Sequence, residues 1–494
     1  MPVSEQILLQ GKLLGIEEFV SSPSDNHRFL ARAQWAALLS EVLPRALLAE
    51  LELNKLLLGS CGADQFLVII PDPARAAAAE EFLAREAERI TRVTGGRVRL
   101  IWGKTENLGD WTVVRKRLND ALHAQQSAPL AAQVNDRTRR FEPFDPAAEP
   151  PPDVFHADLS EKLRTGARVG WSPDSELLIE FDHPKHSWEI TLDFMTDGIV
   201  IARHAARTPD GQTVASPAEL AARSKGQPVW GVLRADVDNF GIRIRRAQSI
   251  EEHVQLSMMF KHFFARELDL VCSLGEFWQR VTVITSGGDD FAIYGAWDAL
   301  ILLARDMQRV FSRFVEENLK DFPGAEGKTI SMAIEAAAND DVHGDDAPLC
   351  EVYERAGRNL VHAKAVDKDC IFLLGRVLEW KQLNDAIEVK DMVGRIAGEF
   401  RAGRQFLSEL ERLYQKASAP ESFIDPERLV RRAYRFQRKY SRIGSQRERE
   451  FARLRTHLIS EIVGRNVKPT PGKQLKLRPA GVVALEWARL AQEV

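Results

Sequence analysis

Apolar runs of strand and helix length alternate in a fixed order along residues 229–375. The first run, 229–233, is continuous and apolar, which is typical of a buried strand, and 249–271 then repeats apolar side chains at helical spacing. The later runs predict a hairpin, a helix, a strand, a helix and a strand, at 281–294, 300–314, 329–334, 360–364 and 371–374. This order contains the βαββαβ unit of a ferredoxin-like palm.

The same order of elements occurs near the amino terminus. A strand, a long apolar helix, a hairpin, an alanine-rich helix and a strand are predicted at 7–14, 28–51, 56–70, 74–92 and 98–102. We therefore predict an α+β protein with two ferredoxin-like palms.

The segments outside the palms have other patterns. A proline-rich acidic linker occupies 141–152, and alternating apolar residues at 177–207 predict a small β-rich insert. Beyond Gly375 the spacing of apolar residues becomes helical. The predicted domains are the first palm (1–140), the linker and insert (141–225), the second palm (226–376) and a C-terminal helical bundle (377–494).

Two acidic clusters end predicted strands of the second palm. Asp-Val-Asp-Asn at 236–239 follows the first strand, and Gly-Gly-Asp-Asp at 287–290 lies in the turn of the hairpin. Carboxylates that converge from neighbouring strands repel one another unless a cation lies between them, and Mg²⁺ binds through a few carboxylates together with water and phosphate. We expect Gly287 and Gly288 to adopt positive φ and to leave room for a triphosphate.

Either cluster alone is also compatible with an ordinary hairpin turn or a solvated strand end. Together, in this order and on matching strands, the two clusters favour a site for two-metal phosphoryl transfer on a nucleotide.

The motifs at 232–241, 286–290 and 294–297 resemble the catalytic palm of a known family, the large palm polymerase or cyclase subunit of type III CRISPR effector complexes, with a III-A or III-D flavour. Residues 15–20 resemble the signature of that family's first palm. Lys12 stands where the family has a carboxylate, and the first hairpin keeps only Asp64. We therefore expect the first palm to shape a nucleotide pocket without holding metal ions.

The resemblance implies an activity, a cofactor and site residues. ATP would be converted to cyclic oligoadenylates on target RNA binding, by two-metal nucleotidyl transfer with Mg²⁺ or Mn²⁺. Catalysis would fall to Asp236, Asp238, Asp289 and Asp290, and metal binding to Asp236, Asp289 and Asp290. Nucleotide contacts would come from Asn239, Ser286, Gly287, Gly288 and Lys364. Lys364 is the expected triphosphate clamp, with an ordinary solvated lysine as the alternative.

The resemblance also implies partners: a guide crRNA, a target RNA, a small helical subunit and a guide-end-binding subunit. An arginine-rich stretch with interleaved aromatic residues at 428–478 is either a solvated helix face or a surface that contacts phosphate or a subunit. None of the eleven His is followed by Asp, so we expect no HD nuclease domain. The four Cys include no Cys-x-x-Cys pair, so we expect no zinc site.

The 494 residues carry a formal net charge of −4, and no apolar stretch approaches the ~20 residues that a membrane span needs. We therefore predict a cytoplasmic protein without membrane contact. Two alternatives remain open, namely a catalytically silent scaffold subunit of the same complex and a stand-alone GGDEF-type nucleotide cyclase. Against the second, the Gly-Gly-Asp-Asp turn lacks the Glu-Phe of the GGDEF signature.

Overall fold

The computed structural model describes residues 6–22, 25–62, 64–135, 154–155, 157–193, 198–337, 348–398, 453 and 479–491. None of the helices in these ranges is long and apolar enough to cross a membrane.

The first palm has the predicted order of strands and helices. Its elements are β1 (Ile7–Leu14), α1 (Ile16–Ser21), α2 (Asn26–Glu50), β2 (Leu58–Gly62), β3 (Gln65–Ile70), α3 (Pro73–Val93), β4 (Arg99–Glu106) and α4 (Trp111–Asn135). The strands form an antiparallel sheet in the ferredoxin-like order β2-β3-β1-β4. The pattern of apolar residues did not predict α1 or α4. With only six residues, α1 is too short to show helical periodicity.

The described part of the region between the palms is less β-rich than predicted. Its elements are α5 (Ala157–Thr165), β5 (Arg168–Trp171), β6 (His186–Glu189) and α6 (Pro217–Ala222). β5 and β6 pair with each other, whereas the runs predicted at 178–181 and 198–201 form isolated bridges. The backbone of Leu178 has a φ of +60°, which interrupts an extended run. Loop side chains such as Leu178 and Ile199 are instead buried in the hydrophobic core that contains Trp35 of the first palm.

The second palm follows the prediction closely. Its elements are β7 (Trp230–Val237), α7 (Phe240–Arg245), α8 (Ile250–His262), a π-helical turn (Phe263–Glu267), α9 (Leu268–Cys272), β8 (Val281–Ser286), β9 (Asp290–Ala296), α10 (Trp297–Asn318), β10 (Ile330–Ala336), α11 (Leu349–Val366), β11 (Cys370–Leu373) and β12 (Arg376–Glu379). The sheet order is β12-β11-β10-β7-β9-β8, so the ferredoxin-like unit β10-β7-β9-β8 gains two strands at one edge. Ser249 caps α8, because its hydroxyl accepts a hydrogen bond from the Glu252 N–H at 3.2 Å.

The two palms share one hydrophobic core. Trp35 and Phe66 of the first palm, Trp171 of β5, and Trp230 and Tyr294 of the second palm belong to the same cluster of buried side chains. The hydrophobic packing is therefore continuous across the boundary predicted between residues 225 and 226. This shared core fixes the palms face to face.

The C-terminal region contributes two described helices, α12 (Trp380–Gly398) and α13 (Pro479–Leu490). Val389 of α12 and Val483 of α13 are buried in a second core together with the sheet of the second palm. Apart from residue 453, the arginine-rich stretch at 428–478 lies outside the described residues.

Candidate functional site

A cleft of about 1220 Å³ lies between the two palms. The first palm contributes the end of β1, the helices α1 and α2, and the β2–β3 hairpin. The second palm contributes the end of β7, the β8–β9 hairpin and one face of α11. The cleft is large enough for ligands the size of nucleotides.

Three of the four predicted carboxylates meet on the second palm's side of this cleft. The register of the sheet places Asp236 at the end of β7, opposite Asp290 at the start of β9. The Asp289 carbonyl accepts a hydrogen bond from the Val237 N–H at 3.0 Å, which ties the tip of the hairpin to the end of β7. Asp236, Asp289 and Asp290 all line the cleft. The structure thus brings the two acidic clusters together, as predicted.

These carboxyl groups have perturbed protonation. Burial, followed by the nearby Asp290 and Asp236 carboxylates, raises the pKa of Asp289 to about 8. Burial and the Asp236 carboxylate raise the pKa of Asp290 to about 6. The pKa of Asp236 is also raised, chiefly by burial, although the Lys364 ammonium opposes that shift. Burial and mutual repulsion therefore favour the protonated form of these carboxyl groups.

Oxygen ligands grouped in this way suit a hard divalent cation. Within the described ranges, no group of three or more His, Cys, Asp or Glu side chains is arranged so that it could hold a metal ion by itself. Mg²⁺ and Mn²⁺ complete their shells with water and substrate phosphates, so Asp236, Asp289 and Asp290 fit such an ion as an open, partial ligand set.

Lys364 lies closer to the carboxylates than the sequence suggested. From α11, its ammonium forms an ion pair with the Asp236 carboxylate and lies 3.6 Å from Oδ1 of Asp238. Its side chain is 18% exposed, so it is not a solvated surface lysine. In this arrangement the ammonium occupies a cation position at the carboxylates.

Asp238 and Asn239 do not line the cleft. The Asp238 side chain is buried and accepts hydrogen bonds from the Thr329 hydroxyl at 2.8 Å, the Ser331 hydroxyl at 2.9 Å and the Asp369 N–H at 2.9 Å. Asn239 adopts a left-handed conformation with φ of +58° and accepts a hydrogen bond from the Lys368 ammonium. The chain turns away after β7, so the nucleotide contact predicted for Asn239 is not supported by its position.

The glycines of the hairpin work differently from the prediction. Neither Gly287 nor Gly288 has positive φ, so that expectation is wrong. The turn is closed instead by a hydrogen bond of 3.0 Å from the Gly287 N–H to the Asp290 carbonyl. A Cβ atom on Gly288 would meet no atom within 4 Å, and Ser286 lies on the cleft beside it. The backbone is therefore open to a ligand, as predicted.

On the first palm's side, Lys12 and Asp64 form an ion pair. The Lys12 ammonium lies 3.3 Å from the Asp64 carboxylate, and both side chains are about 40% exposed. Asp64 is close enough to the second palm to contribute to the raised pKa of Asp289 and of Asp290. The negative charge of Asp64 therefore acts on Asp289 and Asp290 of the second palm, while its ion-pair partner is Lys12 of the first palm.

Sequence reasoning missed a buried polar network that joins the palms beside the cleft. The Glu41 carboxylate of α2 accepts hydrogen bonds from the Lys261 ammonium of α8 at 2.6 Å and from the Arg45 guanidinium at 2.8 Å. The Cys61 thiol lies 3.3 Å from the same carboxylate. Burial alone would raise the pKa of Glu41, but Lys261 and Arg45 hold it below its usual value. The one available signal was a charged residue within the apolar run of α2.

Two comparisons with other proteins show what the second palm is similar to. A family model described as Cas10/Cmr2, second palm domain, matches residues 229–372. A curated relative from Enterococcus italicus, named CRISPR system single-strand-specific deoxyribonuclease Cas10/Csm1 (subtype III-A), is 30% identical over 176 residues. Residues 229–372 of this chain are therefore similar to the second palm domain of Cas10/Cmr2 proteins.

The alignments with the curated relatives cover only part of this chain and part of each relative. The Enterococcus italicus alignment covers 35% of this chain and 21% of the relative. A Cas10/Csm1 protein of the same description from Thermococcus onnurineus is 25% identical over 191 residues, which are 36% of this chain and 22% of that relative. The matched part thus spans about a fifth of each curated relative. The expected lack of an HD nuclease domain therefore stays a prediction.

Solved structures of Csm1-Csm4 cassettes share the fold over nearly the whole chain. A Csm1-Csm4 cassette in complex with cA4 aligns with a TM-score of 0.73 at 18% identity, covering 99% of this chain and 70% of that chain. A cassette in complex with cA3 aligns with a TM-score of 0.71 at 17% identity, covering 100% of this chain and 70% of that chain. These likenesses confirm the α+β architecture with two palms.

Proposed function

We propose that this chain is the large subunit of a type III CRISPR effector complex and converts ATP to cyclic oligoadenylates when target RNA binds. The observation that carries the proposal is the convergence of Asp236, Asp289 and Asp290 on one wall of a cleft between two palms. Csm1-Csm4 cassettes with this fold have been solved in complex with AMPPNP and with cA4. The proposal transfers nucleotide chemistry from those proteins to this chain.

The residues divide the chemical work. Asp236, Asp289 and Asp290 would hold Mg²⁺ or Mn²⁺, which when bound supplies charge neutralisation at the reacting phosphate. Asp238 holds the end of β7 in place through its bonds to Thr329 and Ser331. Its role is therefore positioning.

The remaining contacts orient the nucleotide. The open backbone at Gly288 and the adjacent Ser286 face the cleft where a triphosphate would lie. Lys364 would exchange its ion pair with Asp236 for phosphate oxygens once a cation neutralises that carboxylate. Two ATP molecules would bind in the cleft. The 3′-hydroxyl of one ATP would attack the α-phosphate of the second ATP, and pyrophosphate would leave.

The first palm would present the second ATP without holding metal. The carboxylate of its hairpin, Asp64, is neutralised by Lys12. Two-metal chemistry needs several carboxylates at one place, and those are on the other wall.

The partners of the proposed complex are a guide crRNA, a target RNA, a small helical subunit and a subunit that binds the guide end. Proteins with this fold have been solved as Csm1-Csm4 cassettes, and a Csm4-like chain is the proposed counterpart of the guide-end-binding subunit here.

The test is to incubate the reconstituted complex with labelled ATP, Mg²⁺ or Mn²⁺ and target RNA, and to identify products by mass spectrometry. We expect cyclic oligoadenylates from the wild-type complex and none from the Asp289→Ala, Asp290→Ala double variant. Copurified crRNA without any ATP conversion would identify a silent scaffold. Conversion that needs neither crRNA nor target RNA would identify a stand-alone cyclase.

A further inference from the structure

The side chain of Arg234 lies on the second palm's side of the cleft, in a space left by small neighbouring residues. Because side chains alternate along a strand, Arg234 and Asp236 point to the same face of β7. The residues paired with Arg234 on the two neighbouring strands are Ala292 of β9 and Ala333 of β10. These small side chains leave the surface of the sheet free for the long arginine, which lines the cleft.

Helix α11 is shaped around the same guanidinium group. The guanidinium lies 4.2 Å from the centre of the Tyr353 ring, which supports it by a cation–π contact. One turn further along α11, a Cβ atom on Gly357 would lie 2.3 Å from Nη1 of Arg234. A glycine inside a helix costs stability relative to alanine. Its presence here keeps the position of the guanidinium clear.

The only hydrogen-bond acceptor of Arg234 among the described residues is weakly held. Nη1 donates to the Glu17 carboxylate of α1 at 3.0 Å, across the cleft. The Arg234 side chain is 16% exposed, whereas the Glu17 side chain is 71% exposed. A carboxylate so exposed keeps most of its hydration and is a weak partner for an arginine. A better anion could therefore replace it.

We propose, on the basis of the proposed function, that Arg234 binds a phosphate group of the nucleotide in the cleft, and that Glu17 occupies this position when no nucleotide is present. The planar guanidinium matches phosphate with two parallel hydrogen bonds, which a single exposed carboxylate oxygen does not provide here. Arg234 is also near enough to Asp290 to act on its charge. A nucleoside triphosphate with its divalent cation satisfies both the arginine and the adjacent carboxylates.

The test measures binding to the full chain by calorimetry in excess Mg²⁺, with ATP, inorganic tripolyphosphate and adenosine as separate probes. Arg234→Met should weaken the binding of ATP and of tripolyphosphate by about 10- to 100-fold, the usual value of a charge-assisted hydrogen bond. Adenosine binding should not change. Arg234→Lys should fall between, because an ammonium cannot form the paired bonds. Glu17→Gln should strengthen tripolyphosphate binding by less than about fivefold.

A pair of glycine variants tests the same contact without removing charge. Gly357→Ala places a methyl group against the guanidinium and should also weaken tripolyphosphate binding. The matched control is Gly394→Ala in α12, where a Cβ atom meets nothing within 4 Å, and binding should not change. These variants and Arg234→Lys decide the question if Arg234→Met fails to fold.

The outcomes separate the inference from the function on which it rests. If the wild-type chain binds neither ATP nor tripolyphosphate, the proposed function fails. If the wild-type chain binds both and the Arg234 and Gly357 variants bind tripolyphosphate equally well, the inference alone fails. Loss of adenosine binding with tripolyphosphate binding retained would assign Arg234 to the base and overturn the proposal.

Discussion

The two palms have the same order of strands in their sheets, but they treat negative charge at the cleft in opposite ways. In the first palm, Asp64 is paired with Lys12 on the adjacent strand, so the carboxylate is neutralised within the palm. In the second palm, Asp236, Asp289 and Asp290 lie together on the cleft, and the Lys364 ammonium pairs with Asp236. The fold is therefore independent of the chemistry, which depends on a few residues at strand ends.

This difference has an energetic side. The raised pKa of Asp289, about 8, shows that ionising this group in the folded protein is costly. Natural proteins tolerate such local conflict mainly where function requires it. The second palm contains carboxyl groups whose ionisation is costly, whereas the Asp64 carboxylate of the first palm is paired with Lys12.

The largest effect is expected from replacing one carboxylate in each palm by its amide. Asp236→Asn should reduce ATP turnover at least about 1000-fold, because it removes a ligand placed by a rigid strand at the reacting phosphate. Asp64→Asn should keep most of the turnover, or at worst weaken ATP binding, because a lysine already neutralises that carboxylate. The measurement is product formation at saturating ATP, with ATP affinity determined in parallel.

Equal catalytic loss at both positions, with binding unchanged, would mean that both palms perform chemistry. The circular dichroism spectrum of each variant serves as the control for folding, since both side chains lie on the cleft and outside the hydrophobic core.

A second comparison concerns ion pairs. Glu41 is almost fully buried between Lys261 and Arg45, and it links the palms. Glu41→Gln should lower the free energy of unfolding by about 3 kcal/mol, because two buried cations lose their anion. Asp64→Asn breaks a half-exposed pair and should cost less than ~1 kcal/mol. Urea denaturation of the two variants tests this order, and a larger loss for Asp64→Asn would contradict it.

The third comparison uses pH. Asp289 has a pKa of about 8 in the folded chain against an ordinary value of 3.8, so the folded state binds this proton more tightly than the unfolded state. Its contribution to stability is complete below about pH 4 and is lost as the pH rises towards 8. Without metal, Asp289→Asn should melt like the wild type near pH 4 and a few degrees higher near pH 8.

The difference between variant and wild type at each pH cancels the titration of groups that do not interact with Asp289, including His253, whose pKa burial lowers to about 4. Adding Mg²⁺ at pH 8 should stabilise the wild type more than Asp289→Asn. A difference that stays constant with pH would show that Asp289 ionises normally.

How much of this comparison could be read from the sequence depends on the range of the interactions. Periodicity predicted the four strands of the ferredoxin-like unit in each palm, because such patterns depend on neighbours in the chain. The pairing of Asp236 with Asp290 followed from strand order. The insert was overpredicted as β-structure, because alternating apolar residues such as Leu178 are equally suited to a buried loop. The contacts of Arg234 with Glu17 and of Glu41 with Lys261 join segments more than 200 residues apart, and no local pattern encodes them.

The smallest effect should separate the hairpins of the two palms. Gly62 of the first hairpin has a φ of +131°, and a Cβ atom there would lie 3.3 Å from Oε1 of Glu41. Gly62→Ala should therefore lower stability by more than about 1 kcal/mol through backbone strain. Gly288 of the second hairpin has no positive φ and open space beside it, so Gly288→Ala should fold as well as the wild type.

The added methyl group at residue 288 would stand in the space proposed for the triphosphate, so the KM for ATP should rise a few-fold with little change in melting temperature. Melting curves of both variants and the KM of Gly288→Ala make the test. An unchanged KM would mean that the triphosphate does not bind beside the Gly-Gly turn. The proposed roles of Asp236 and Asp289 as metal ligands would not be affected by that result. The first hairpin would then differ from the second in backbone strain alone, and the division of labour between the palms would rest entirely on their strand-end charges.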